Sequence, residues 1–285
     1  MKLSVETHIL RNRFGNERAI RMIRDAGFDA FDFSYYWMSP ENDILGDTYR
    51  ERAYQLREVA DNAGIVCNQA HAPFDFSYAD TMEESNERFL RLSRSIESAA
   101  ILGTKNIIVH VLGPQKLPDD VDFYEYNRRF LTKLLPYCEK SGINISVENL
   151  FYGSNPILAD PDEMRDFVKS LNSEYFNICL DLGHLSKTSC NPAEVIMKTD
   201  PLMLAGLHVQ DNDLNGDCHW LPYCGDMDWS EITRALGQVG YRGDLTFEIF
   251  GYLKRQDPAN LPAALYFAHQ TGRMMIERID GFRSI

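Results

Sequence analysis

The run Ile143-Asn144-Ile145-Ser146-Val147-Glu148-Asn149 limits the folds open to this chain more than any other stretch. Ile143, Ile145 and Val147 alternate with Asn144, Ser146 and Glu148, so an extended strand here has one aliphatic and one polar face. The aliphatic face suits covering helices. The polar face carries small side chains and ends on a carboxylate. Helices outside and small polar groups inside fit a closed parallel barrel better than an open sheet. Three later strands repeat the pattern, and each ends on a residue able to bind a metal.

The rest of the chain is punctuated to match. Gly27, Gly64, Gly103, Gly142 and Gly240 each follow a helical pattern and precede an apolar strand, the place where glycine ends helices. Asp160-Pro161-Asp162-Glu163 and Asn191-Pro192-Ala193-Glu194 combine an N-cap, an N1 proline and an acidic N3 residue. Asp228-Trp229-Ser230-Glu231 and Thr81-Met82-Glu83-Glu84 carry the cap and the glutamate. Between these signals eight strands are expected at 2–6, 28–33, 65–71, 106–111, 143–148, 176–181, 204–209 and 245–249. Helices fill the gaps, most clearly over 82–102, and a long helix over 258–278 closes the chain. Alternation of this kind implies right-handed parallel crossovers, and eight units make a single (β/α)8 TIM barrel spanning 1–285 as one domain. A doubly wound open sheet is the alternative, and no glycine-rich phosphate loop supports it.

Composition narrows the function classes. No run of about 18 apolar residues predicts a membrane span. The N-terminus lacks the basic and apolar regions of a signal peptide, so a cytoplasmic protein is expected. The six cysteines form no CxxC pair, which favours reduced thiols over disulfides or a thiolate zinc site. A net charge of −13 without a basic run disfavours a nucleic-acid partner.

Barrel chemistry sits at the C-terminal ends of the strands. Those ends read Glu6 with His8, then Ser34, His71, His110, Glu148, Asp181, His208 and Glu248. Parity puts Cys67, Gln69 and His71 on one face, and likewise Cys179 with Asp181, Gly206 with His208 and Gln210, and Thr246 with Glu248. Loops add His184, Asp217 and His219. Six of the seven histidines fall at this rim; His269 lies in the last helix, where packing or surface exposure is expected. A lone strand-end histidine is usually structural, and a lone inward carboxylate can be half of an ion pair. Four carboxylates and several histidines on one rim are costly to bury unneutralised, and a cation is their natural partner. A mixed His/Asp/Glu set suits Zn²⁺, Mn²⁺ or Co²⁺ rather than Ca²⁺. Tyr35, Tyr36 and Trp37, and Phe74 with Phe76, could stack on a ligand from the rim, although loop packing is at least as good an account of each. Gly113-Pro114 reads as a turn and not as a phosphate cradle.

Glu148-Asn149, Asp181-Leu182-Gly183-His184, Leu207-His208-Val209-Gln210-Asp211-Asn212 and Glu248 resemble the signature of the sugar phosphate isomerase/epimerase superfamily. These are xylose isomerase-like TIM barrels that include ketose 3-epimerases and apurinic endonuclease IV. The segment from Asp217-Cys218-His219 to Asp228-Trp229 resembles the loop after strand seven in many members, and the likeness runs along the whole chain. In single-metal epimerases the ligands correspond to Glu148, Asp181, His208 and Glu248. In endonuclease IV three zincs are held at positions matching these four together with His71, His110, His184, Asp217 and His219. Two departures separate the chain from the nuclease. Cys218 stands where a basic residue is common, and Ala72-Pro73-Phe74 follows His71.

The resemblance implies a divalent-metal-dependent isomerase or epimerase of a small sugar or sugar derivative. Proton transfer beside a carbonyl would pass through a metal-stabilised enediolate, with Glu148 and Glu248 as acid and base. His71, His184, Trp37 and Phe74 would bind substrate. His71, His110, His184, Asp217 and His219 are candidates for additional metals. The alternatives are a multi-zinc apurinic endonuclease-like phosphodiesterase, a sugar or inosose dehydratase, and a non-catalytic sugar-binding barrel. Assembly into a homo-oligomer is compatible with all of them.

Overall fold

The computed structural model describes residues 1–74, 82–113, 121–154, 157–188 and 190–283. The expected cap at Thr81, the ring of Phe76 and the turn residue Pro114 lie outside the described residues. Eight strands form one parallel sheet: β1 (Leu3–Glu6), β2 (Ala30–Ser34), β3 (Val66–His71), β4 (Asn106–Val109), β5 (Asn144–Glu148), β6 (Phe176–Asp181), β7 (Leu204–His208) and β8 (Leu245–Phe247). Their order is β7-β6-β5-β4-β3-β2-β1-β8. The seam between β7 and β8 is closed just beyond the strands. There the Val209 N–H donates to Thr246 O at 2.9 Å and the Glu248 N–H donates to Val209 O at 3.2 Å. The edges that an open sheet would expose are thereby paired, as a barrel requires.

The helices are α1 (His8–Phe14), α2 (Asn16–Asp25), α3 (Tyr49–Ala63), α4 (Met82–Leu102), α5 (Phe123–Ser141), α6 (Pro161–Ser170), α7 (Leu182–Lys187), α8 (Pro192–Lys198), α9 (Trp229–Gln238), α10 (Phe250–Lys254) and α11 (Leu261–Phe282). The cap signals act as read: Asp160, Asn191 and Asp228 each accept two backbone N–H groups at the start of a helix. All five helix-ending glycines have positive φ. On α4, Leu92, Ile96 and Ala99 point inward and are buried against the sheet. The Nε2 and Cε1 atoms of His269 pack over Gly27, where an added Cβ would come within 3.0–3.2 Å of the ring, so this histidine is a packing residue.

The sheet carries two register shifts, at Asn68 on β3 and at Ala205 on β7, and the first moves a residue off its expected face. Phe31 pairs with Cys67, yet the next pair is Asp32 with Gln69, so Asn68 is the extra residue of a bulge. Cys67 consequently joins the hydrophobic core, while Gln69 and His71 face the barrel interior. The interior below the rim is polar, and most of its side chains pair with one another. Ser4 Oγ donates to Thr246 Oγ1 at 2.9 Å, Gln69 Nε2 to Asp32 Oδ2 at 2.9 Å, and Ser146 Oγ to Asn106 Oδ1 at 2.6 Å. This layer is the floor on which the strand-end groups stand.

Three short helices were not visible in the sequence pattern. α1, α7 and α10 begin within two residues of Glu6, Asp181 and Glu248 and run only 7, 6 and 5 residues. Each turns the chain sharply at the rim, so the residues following the strand ends stay over the barrel mouth.

Candidate metal and active centre

Four consecutive strand ends, β5 to β8, supply Glu148, Asp181, His208 and Glu248. One ligand atom from each lies within 4.8 Å of all the others, and all four residues are buried. His208 is the middle of the group: its Nδ1 is 2.9 Å from Glu148 Oε1 and 3.6 Å from Glu248 Oε2. Two further groups adjoin. His71 and His110 place Nε2 at 3.2 and 2.8 Å from Glu148 Oε2. His184 and His219 place Nε2 at 3.4 and 3.3 Å from Asp217 Oδ1. The structure thus draws together all nine strand-end and loop residues singled out as candidate ligands.

Local hydrogen bonds orient the imidazoles. His71 Nδ1 meets Ala72 O at 2.7 Å, His184 Nδ1 meets Asn149 O at 2.9 Å and His219 Nδ1 meets Glu248 O at 3.0 Å. A carbonyl only accepts, so each Nδ1 carries the proton and each Nε2 is left to face a carboxylate. Nε2 is therefore the atom that would bind a cation, which would displace the proton that Glu248 and Asp217 favour on His219 in its absence. Asp181 is fixed twice over: Oδ1 caps α7 by accepting the His184 N–H at 2.7 Å, and Asn149 brackets its backbone with bonds of 2.9 and 3.1 Å. Gly183 leaves room for the Gln210 amide, which an added Cβ would meet at 2.4 Å and displace. His219 adopts φ 48°, an uncommon conformation for a side-chain-bearing residue. Gln210 Oε1 holds it by accepting its N–H at 3.1 Å.

The electrostatics are those of an acidic centre relieved only by histidine. Burial raises the Glu148 carboxyl, but His208 and His110 outweigh it and hold the group well below the usual carboxylate range. Burial pushes Asp181 up to about 6 against the pull of His184. Burial opposes protonation of His219, yet Glu248 and Asp217 raise it to about 9. No lysine or arginine forms an ion pair with Glu148, Asp181 or Glu248 among the described residues. Glu6 Oε1 and Asp32 Oδ1 are buried without a hydrogen-bond partner. Surplus buried negative charge, a mixed nitrogen and oxygen donor set and pre-set imidazoles all fit a divalent ion of the Zn²⁺, Mn²⁺ or Co²⁺ kind.

The aromatic residues sort differently from expectation. Tyr35 is buried and its hydroxyl donates to Ser98 Oγ at 2.8 Å, so it cannot reach a ligand at the rim. Tyr36 is buried with its hydroxyl on Glu248, and its ring stacks on Phe74 with centroids 4.3 Å apart. Trp37 is 68% exposed and meets Phe74 edge-on at 5.1 Å. Trp37, Phe74, Phe151 and Phe250 line a cavity of about 170 Å³ directly over Glu148, His184 and Glu248.

Several residues around the site had no role in the sequence reading. Asp32 is fully buried, with Oδ2 3.6 Å from His208 Nε2. It shares parity with Ser34, so the alternation that found Ser34 also marks Asp32. Gln210 Nε2 lies 3.3 Å from Asp181 Oδ1 and 3.2 Å from Asp217 Oδ1, linking two ligand groups. Asp211 accepts from Trp229 Nε1 at 2.9 Å and from the Gly225 N–H at 3.0 Å, which ties down the loop carrying Asp217 and His219.

A family model described as xylose isomerase-like TIM barrel matches residues 20–268. An uncharacterised protein of Methanocaldococcus jannaschii is 26% identical over 242 residues, which cover 81% of this chain and 78% of that one. The D-psicose 3-epimerase of Ruminiclostridium cellulolyticum is 21% identical over 242 residues, covering 81% of this chain and 77% of its own. Among solved structures, a D-tagatose 3-epimerase-like protein has the same fold, with a TM-score of 0.78 over 100% of both chains at 20% identity.

Proposed function

Because this chain belongs to the xylose isomerase-like TIM barrel family, we propose that it is a divalent-metal-dependent isomerase or epimerase of a small sugar or sugar derivative. The observation that carries this is the buried group of Glu148, Asp181, His208 and Glu248, whose ligand atoms lie within 4.8 Å of one another. The epimerase names of its relatives agree with it.

A divalent ion held by these four residues would supply Lewis-acid withdrawal of charge from substrate oxygens. Glu148 and Glu248 stand at the two ends of the four-strand arc with His208 between them. A substrate carbon seated between the two carboxylates would lose a proton to one and gain a proton from the other on the opposite face. Histidine neighbours keep Glu148 ionised, as a base must be. The Tyr36 hydroxyl fixes Glu248 Oε1, which leaves Oε2 toward the site. His71 and His184 would hold substrate hydroxyls, while Trp37, Phe74 and Phe250 shed water from the reacting end.

The test is a panel of free and charged ketoses in D2O with Zn²⁺-, Mn²⁺- and Co²⁺-loaded protein. Deuterium should enter at the carbon beside the carbonyl. Loaded protein that exchanges none of them rules the proposal out. A second reading, a multi-zinc phosphodiesterase acting on abasic DNA, is favoured by the adjoining His71/His110/Glu148 and His184/Asp217/His219 groups. Three zincs per chain with cleavage of an abasic duplex would establish it. The net charge of −13 argues the other way.

A further inference from the structure

We propose that the outer chamber of the cleft is an anion subsite, so that the substrate carries a carboxylate or phosphate at the end remote from the reacting carbon. This rests on the proposed isomerase chemistry for the inner end only. The cavity over Glu148 and Glu248 adjoins a larger one of about 930 Å³, and the two share Trp37, Phe74, Asp217 and Phe250 among their lining residues. A ligand with its reacting carbon at the two glutamates therefore extends its far end into the outer chamber.

That chamber is lined by three bases, Arg13, Lys254 and Arg255, and by one carboxylate, Asp217. Asp217 is already engaged between His184 and His219. None of the three bases forms an ion pair among the described residues. The chain holds 42 acidic residues against 29 basic ones, so three neighbouring bases left without an acid run against its composition. Positive charge lining a recess concentrates anions there.

The bases are also held in place. Arg13 donates from both Nη atoms, to Gln256 O and Lys254 O at 2.8 Å each, and so pins the turn that carries Lys254 and Arg255. α10 is fixed against the His219 loop, where the Tyr252 N–H donates to His219 O at 3.0 Å. Gly251 permits this approach, since an added Cβ would lie 1.9 Å from Cys218 O. Phe250, at the other end of the same short helix, stacks on His219 with centroids 3.8 Å apart. One rigid element therefore spans the reacting end and the basic end. His8 lines the chamber between them; burial first, then the nearby Arg11 and Lys254, hold its ring neutral, down at about 4.

The probes are inorganic phosphate and gluconate, with sorbitol as the uncharged control. Each is titrated calorimetrically into metal-loaded parent protein and into the Lys254→Gln/Arg255→Gln double variant. Both side chains are exposed, and circular dichroism verifies the fold. At least one anion should bind the parent tenfold or more tighter than sorbitol, and the double variant should lose about tenfold per charge removed. Binding of gluconate alone identifies a sugar acid, and binding of phosphate alone identifies a phosphate ester. Anions that bind no tighter than sorbitol, or equally to parent and double variant, overturn the proposal. Proton exchange on the same preparations separates the two claims. Anion binding that the double variant loses, with no exchange on any sugar, upholds the subsite and removes the isomerase. Exchange with no anion preference does the reverse.

Discussion

The Tyr36 hydroxyl donates a 2.6 Å hydrogen bond to Glu248 Oε1, joining the loop after β2 to the residue that follows β8. Burial, with Glu248 next, raises the Tyr36 phenol well above its ordinary range, so it remains a donor at any working pH. Glu248 accepts on one oxygen and keeps the other for the site.

Tyr36→Phe removes that donor and keeps the ring that stacks on Phe74. A hydrogen bond to a charged group is worth about 1.5–3 kcal/mol, so proton exchange should slow by roughly 10–100-fold. Circular dichroism should be unchanged. Exchange at the parent rate would mean that Glu248 needs no orientation by Tyr36.

Asp211→Ala acts through the loop and not through the chemistry. It strips the acceptor from Trp229 Nε1 and from the Gly225 N–H in a buried place. Leaving buried donors unpaired costs about 1–3 kcal/mol each, so urea unfolding should show a loss of about 3 kcal/mol or more. A loss below about 1 kcal/mol would show that the loop is held by other contacts.

Glu6 provides a pH test. Burial, reinforced by Glu248 and Asp32, raises its carboxyl from 4.5 to about 8. The folded state thus favours protonated Glu6; its contribution to stability is fully present below 4.5 and is lost as pH rises through 8. In chelator-treated protein, Glu6→Gln should melt with the parent near pH 5 and above it near pH 9. Curves separated by the same amount at both pH values would refute the assignment.

These long-range pairs explain where sequence reasoning stopped. Alternation on β5 to β8 located Glu148, Asp181, His208 and Glu248, because side-chain direction in a strand is set locally. The caps at Asp160, Asn191 and Asp228 were legible for the same reason. Cys67 was misplaced because a bulge at Asn68 depends on pairing with β2, which no local pattern records. α7 and α10 were missed because helices of 6 and 5 residues hold too few turns to show a period. Tyr36 looked like a stacking residue until the fold brought it to Glu248, 212 positions along the chain. Asp32 was readable in principle from its parity with Ser34, but only the fold brings it to His208.

The most direct test compares deuterium exchange by Glu148→Gln and Glu248→Gln proteins, each shown by elemental analysis to carry as much metal as the parent. Glutamine keeps an oxygen donor and loses the base. Acid–base groups typically contribute 10²–10⁴-fold, so each loaded variant should exchange about 10²-fold more slowly or worse, chiefly on its own face of the substrate. Exchange at the parent rate by both loaded variants would contradict the account, because neither carboxylate would then move the proton.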